Sequence, residues 1–130
     1  MIFSPTSLAR LNTADPRLQA VFMEVIKHQD CSILCGHRGQ AEQDEALRNG
    51  KSKLGWPKSL HNALPSKAVD AAPYPVDWSD PHRFRLFAGF VLGVAATMGI
   101  KLRWGGDWDG DLSNADQTFH DLPHFELIGD

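Results

Sequence analysis

The chain has 130 residues, 42% of them hydrophobic, which fits one domain with one ordinary core. A formal charge of −3 and a pI near 6.0 leave no broad basic surface, which argues against nucleic acid as a partner. No apolar run approaches the roughly 20 residues of a membrane span, and the N-terminal MIFSPTSLARLNTADPRLQ has neither the basic leader nor the apolar stretch of a signal peptide. The protein is therefore expected to be made as a soluble cytosolic chain without membrane insertion, and as a monomer.

Leu8, Leu11, Leu18, Val21, Phe22, Val25 and Ile26 mark the first apolar segment, the later ones at helical spacing. Asp15-Pro16 reads as an N-cap followed by a first-turn proline, which predicts a helix from Pro16 to His28. Cys31 to Cys35 is the first strand, ended by Gly36. Extended geometry separates the two cysteine Cα atoms by roughly 13 Å, about twice the reach of a disulfide. Two cysteines so close together leave a metal role open, but no second cysteine pair exists to complete a zinc site, so both are expected to be buried core thiols. Gln40 to Asn49 reads as a helix closing at Asn49-Gly50.

Lys51 to Ser66 lacks periodicity and reads as a long loop of the kind that often carries function. Ala68 to Ala71 is a second strand, and Pro73 to Asp80 an irregular connection. Ser79-Asp80-Pro81 then opens a long helix to about Met98, with Gly99 as terminator. Because this helix is apolar nearly all round, it is expected to be the central buried one, its small residues Ala88, Gly89, Gly93, Ala95 and Ala96 packing closely on the sheet. Ile100 to Trp104 is a third strand, Gly105 to Thr118 a polar loop, and Pro123 to Ile128 the last strand. The expected fold is α+β, with helices packed on a small, mainly antiparallel sheet, and no linker to a second module.

His61, Asp70 and His124 are the candidate metal ligands. Two imidazoles and one carboxylate, with a further position left open, form the ligand set of a catalytic zinc rather than a closed structural one. His37 has no ligand motif around it, His82 starts a helix and should be exposed, and His120 is at most a neighbour of the site. Asp107, Asp109 and Asp111 alternate as oxygen ligands for calcium would, yet the EF-hand pattern lacks its final Glu.

The ordered strings Ser59-x-His61 with Ala68-x-Asp70, then Asp121-x-Pro123-His124-Phe125-Glu126, resemble the D-Ala-D-Ala carboxypeptidase family of zinc peptidases. Within it the chain looks most like the phage endolysins that act as L-alanyl-D-glutamate endopeptidases, over about Ser32 to Leu127. The resemblance implies the fold shared by those peptidases and the hedgehog signalling domain. It also implies one zinc per chain on His61, Asp70 and His124, with Asp121 as general base. The span from His61 to Asp70 is two residues longer than the commoner family spacing, with Pro65 and Ser66 suited to absorb the excess in a turn.

Arg38 in Gly36-His37-Arg38 resembles the family's Gly-x-Arg segment and implies a guanidinium for an oxyanion or a substrate carboxylate. Gln43 and Ser59 are further substrate-binding candidates, and Trp104 and Trp108 are expected to wall the cleft. The implied substrate is the peptidoglycan stem peptide. The implied setting is the host cytoplasm until a holin opens the membrane, with action on the cell wall afterwards and no separate wall-binding domain. Two other readings stand beside it: a D-alanyl-D-alanine carboxypeptidase, and a non-catalytic zinc-containing module of the same fold. Asp121 separates the last from an enzyme, since a binding module needs no base there.

Overall fold

A computed structural model describes residues 1–111 and 121–129. The helices are α1 (Pro5–Leu11), α2 (Pro16–Val25), α3 (Gln40–Arg48) and α4 (Pro81–Thr97), and the strands β1 (Cys31–Cys35), β2 (Ala68–Pro73), β3 (Leu102–Gly105) and β4 (Asp121–Leu127). The strands form one antiparallel sheet in the order β1-β2-β4-β3, as the α+β reading expects. Helix α1 is an addition to the elements expected from the sequence, where the first helix begins at Pro16. Seven residues carry too little periodicity to announce themselves, and the helix is held by its Ser4 cap and by packing on β1.

The two faces of the sheet have opposite chemistry because side chains alternate along each strand. Ile33, Val69, Ala71, Trp104, Phe125 and Leu127 join the core with α1, α2 and α4. Phe125 is its centre, packing edge-on against Phe22 of α2 at 5.7 Å and Phe87 of α4 at 6.1 Å. Asp70, Arg103, His124 and Glu126 alternate with those residues and take the other face. Trp104 therefore faces the core: Arg103 occupies the outer position, and the Trp104 indole N–H donates to the Leu122 carbonyl at 2.7 Å. Its expected place on the cleft wall is corrected accordingly.

Helix α4 is also not central. It buries Phe84, Phe87, Ala88, Val91 and Ala95 and leaves Leu86 78% exposed. Gly89 and Gly93 meet nothing, so only Ala88 and Ala95 of the small residues pack inward. Total hydrophobicity without a strong apolar stripe is a poor guide to which side of a helix is covered.

The long loop is tied down at both ends of its functional stretch. Asn62 caps back to Ser59 to form the short 3₁₀ turn Leu60–Asn62. The Lys67 amide donates to the Leu60 carbonyl at 2.9 Å, closing the longer His61 to Asp70 connection into a compact turn. Ser66, fully buried, exchanges backbone hydrogen bonds with Thr13 and Asp15. Asp15 thus holds two things, the first turn of α2 through the Arg17 amide at 2.9 Å and the loop through Lys67 at 3.2 Å.

Hydrogen bonds from Arg17 hold the Asp15 carboxyl well below the usual carboxylate range, overcoming its burial, with Lys67 adding to the effect. A depressed folded pKa means stability that is complete above the unfolded value of about 4 and lost as pH falls below it. Asp15→Ala should cost about 1 kcal/mol at pH 7. Denaturant titrations of the two proteins should show that gap closing as the pH is lowered from about 4.

Candidate active site

The outer sheet face and the tied loop bring His61, Asp70 and His124 together. Register pairs Asp70 of β2 with His124 of β4, and the 3₁₀ turn lays His61 over the same point. His61 Nε2 lies 3.1 Å and His124 Nδ1 3.3 Å from the same oxygen, Asp70 Oδ1, and the two rings stand 5.2 Å apart.

The far side of each ring is already engaged. His61 Nδ1–H donates to the Gly36 carbonyl at 2.7 Å, and His124 Nε2–H donates to Glu126 Oε1 at 2.7 Å. Each acceptor takes the outer N–H, so the inner nitrogen faces Asp70, as an N–H donor while the ring is protonated and as a lone pair once that proton is lost. With those inner protons lost, three facing acceptors would repel one another unless a cation joined them. Outer hydrogen bonds that orient inner nitrogens are the arrangement of metal-bound histidines, so these side chains could hold a metal ion.

The electrostatics agree. Burial disfavours charge on both imidazoles, yet the Asp70 carboxylate raises both above the ordinary histidine value. Burial likewise works against Asp70, and the two rings nevertheless hold it ionised, well below the usual carboxylate range. A site this strongly biased toward positive charge is poised to exchange protons for a metal ion.

Asp121 Oδ2 is 3.8 Å from His124 Nδ1, and burial, with the Asp70 charge beside it, pushes its carboxyl up to about 6. The Asp121 strand end is brought close by Gly105, where any Cβ would strike the Asp121 carbonyl. Gly36 is constrained in the same way, since a Cβ there would meet the Arg10 carbonyl and Thr13 Oγ1.

Arg38 reaches Asp70 Oδ2 at 3.5 Å and donates to Gln43 Oε1 at 2.9 Å. Gln43 is fully buried, and its amide group donates to the Leu54 carbonyl and Ser52 Oγ. Its expected contact with substrate is therefore corrected: it buttresses Arg38 and the loop from inside. Ser59 is buried too and accepts from the His61 amide at 3.2 Å, shaping the turn that carries the ligand. Trp108 lies on the site, its ring 5.5 Å from that of His124.

Two clefts meet at the cluster. The larger, of about 790 Å³, runs past Leu34, Cys35, Asp70 and Trp78, and the smaller, of about 400 Å³, past His61, Trp108 and His124. Arg38, Lys51 and Asp121 line both.

Glu126, Trp78 and Cys35 join the site beyond the candidates read from the sequence. Glu126 also accepts from Arg103, at 2.7 Å, and so anchors His124; its place two residues along the same strand was the available signal. Trp78, stacked on Phe84 and 65% exposed, walls the larger cleft from a segment with no periodicity to read. Cys35 is half-buried and lines that cleft, whereas Cys31 is buried in the core as expected, and both are free thiols.

His37 turns away to the Ala63 carbonyl and His82 is exposed. His120 and positions 112–118 of the predicted polar loop lie outside the described residues. Asp107, Asp109 and Asp111 do lie together, one ligand oxygen of each within 4.8 Å of the others, the first buried and the other two exposed.

Comparison with known proteins agrees with this geometry. The model of the family described as phage L-alanyl-D-glutamate peptidase matches residues 1–128. The L-alanyl-D-glutamate peptidase of Escherichia phage T5 is 34% identical over 135 residues, 97% of each chain. The crystal structure of the Serratia marcescens L-Ala D-Glu endopeptidase ChiX superposes with a TM-score of 0.73 at 28% identity, covering 97% of this chain and 90% of that one. Fold, site geometry and sequence kinship lead to one assignment: the chain belongs to the phage L-alanyl-D-glutamate peptidase family.

Proposed function

We propose that this chain is a zinc-dependent endopeptidase that cuts the bacterial peptidoglycan stem peptide between L-alanine and D-glutamate during phage lysis of the host. The observation that carries this reading is the pair of oriented imidazoles presented to one Asp70 oxygen where two clefts meet. His61, Asp70 and His124 would hold one zinc ion, which when bound supplies Lewis acidity for the scissile carbonyl and for the attacking water.

The other steps belong to side chains. Asp121, on the rim shared by both clefts, takes the proton of the attacking water and returns it to the leaving amine. Arg38, fixed in place by Gln43 and Asp70, offers its remaining N–H groups to the developing oxyanion. Glu126 and the Gly36 carbonyl keep the two imidazoles in register.

Two clefts meeting at one cluster favour an endopeptidase, whose substrate continues on both sides of the cut, over a carboxypeptidase. The smaller cleft is lined by Arg38, Lys51, Lys53 and Arg103 against Asp121 and Glu126, a local excess of cations in a chain of formal charge −3. That charge suits the acidic D-glutamate side of the bond. Trp108 supplies a flat wall there, as Trp78 does in the larger cleft. The place of action is the host wall, reached from the cytoplasm once a holin opens the membrane, with the chain acting as a monomer; kinship with a phage peptidase supports the phage setting alone.

Purified peptidoglycan digested with this protein should yield new D-glutamate amino termini by mass spectrometry, and release of D-alanine alone would overturn the assignment. Asp121→Ala should slow that cleavage by about 10²–10⁴-fold while keeping bound zinc, as measured by metal analysis beside the assay. Glu126→Gln should weaken zinc binding by about 10–100-fold, read by competition with a chromophoric chelator.

A further inference from the structure

Cys35 has no part in the mechanism above, yet the fold has gone out of its way to place it. Cys31 and Ile33 of β1 both lie in the core, and strict alternation would bury Cys35 beside them. The register breaks first: Ile33 pairs with Ala71, but Cys35 pairs with Asp70. Two steps on β1 thus match one on β2, with Leu34 as the extra residue of a bulge.

The backbone beside the bulge is held by α1: the Ile33 amide donates to Ser7 Oγ at 3.0 Å, and the Ile33 carbonyl accepts from Arg10 Nη1 at 3.1 Å. A single inserted residue turns every later side chain to the opposite face. Cys35 accordingly stands in one cross-strand row with Asp70 and His124.

Position and chemistry then coincide. One ligand atom each from Cys35, His61 and Asp70 lies within 4.8 Å of the other two, while Asp70, Asp121 and His124 form a second such group. The Cys35 thiol donates to the Gly36 carbonyl at 3.5 Å, the oxygen that also fixes His61. Thiolate is a strong ligand for zinc, stronger than for hard cations such as magnesium.

We propose that Cys35 is a fourth protein ligand of the metal centre: its thiolate closes the coordination shell in the resting enzyme, and the incoming stem peptide displaces it. Its proton passes to solvent as Sγ binds. Cys35 lines the larger cleft, so a peptide entering there meets the thiolate before the reaction begins. The inference rests on the zinc-centre reading, and the experiment separates the two.

The test loads the full chain with cobalt(II) in place of zinc and records its absorption spectrum. The wild type and Cys31→Ser should show a near-ultraviolet thiolate-to-cobalt charge-transfer band. Cys35→Ser and Cys35→Ala should lose it while keeping the visible d–d bands of cobalt held by His61, Asp70 and His124, which also shows that they fold. The band should fade as a non-cleavable stem-peptide analogue saturates the protein. Visible bands without a charge-transfer band in the wild type overturn the Cys35 assignment alone, as does a band that survives Cys35→Ser or saturating analogue. Absence of any cobalt spectrum in the wild type overturns the metal centre and this proposal with it.

Discussion

A half-buried aspartate on an inner strand is the constraint around which the site is arranged. Asp70 sits between Cys35 of β1 and His124 of β4, with His61 laid across it from the loop and Arg38 on its second oxygen. A carboxylate in that place stays ionised only if positive charge is gathered around it. The inward aim of two imidazoles, the pull on Arg38 and the fitness for a cation are consequences of that one requirement.

The support for this arrangement lies further out. Gly36 gives its carbonyl to His61 and tolerates no Cβ against α1, so the strand end, the first helix and the ligand are one mechanical unit. Glu126, gripped by Arg103, does the same for His124 from the other side. Phe125, between these two residues in sequence, points the opposite way into Phe22 and Phe87. Burying an aromatic ring of that size is worth about 1.5–3 kcal/mol, so the same strand secures the core and sets the angle of the ligand.

Much of this was legible in the sequence, because local signals sufficed. Asp15-Pro16 and Asp80-Pro81 mark helix starts by capping chemistry, and Asn49-Gly50 marks an end where Gly50 takes a positive φ. The strings around His61, Asp70 and His124 meet through the β2–β4 register and the 3₁₀ turn, and the two extra residues before Asp70 are taken up in the turn closed by Lys67 and Leu60. What the sequence could not show was which face a residue takes when tertiary contacts intervene. Trp104 went inward because Arg103 had the outer position, Gln43 went inward because its amide satisfies a loop and an arginine at once, and Cys35 came outward past a bulge beside which α1 holds the backbone of Ile33. Periodicity identifies an element, whereas bulges and buried polar networks are settled by partners distant in the chain.

The central claim is that His61, Asp70 and His124 form a metal centre on which hydrolysis depends. Its most direct test is to follow wall lysis against metal content as zinc is withdrawn by a chelator and then returned. The expected result is one zinc per chain, activity that falls in proportion to the metal removed, and recovery when zinc is restored. Undiminished lysis by metal-free protein would contradict it.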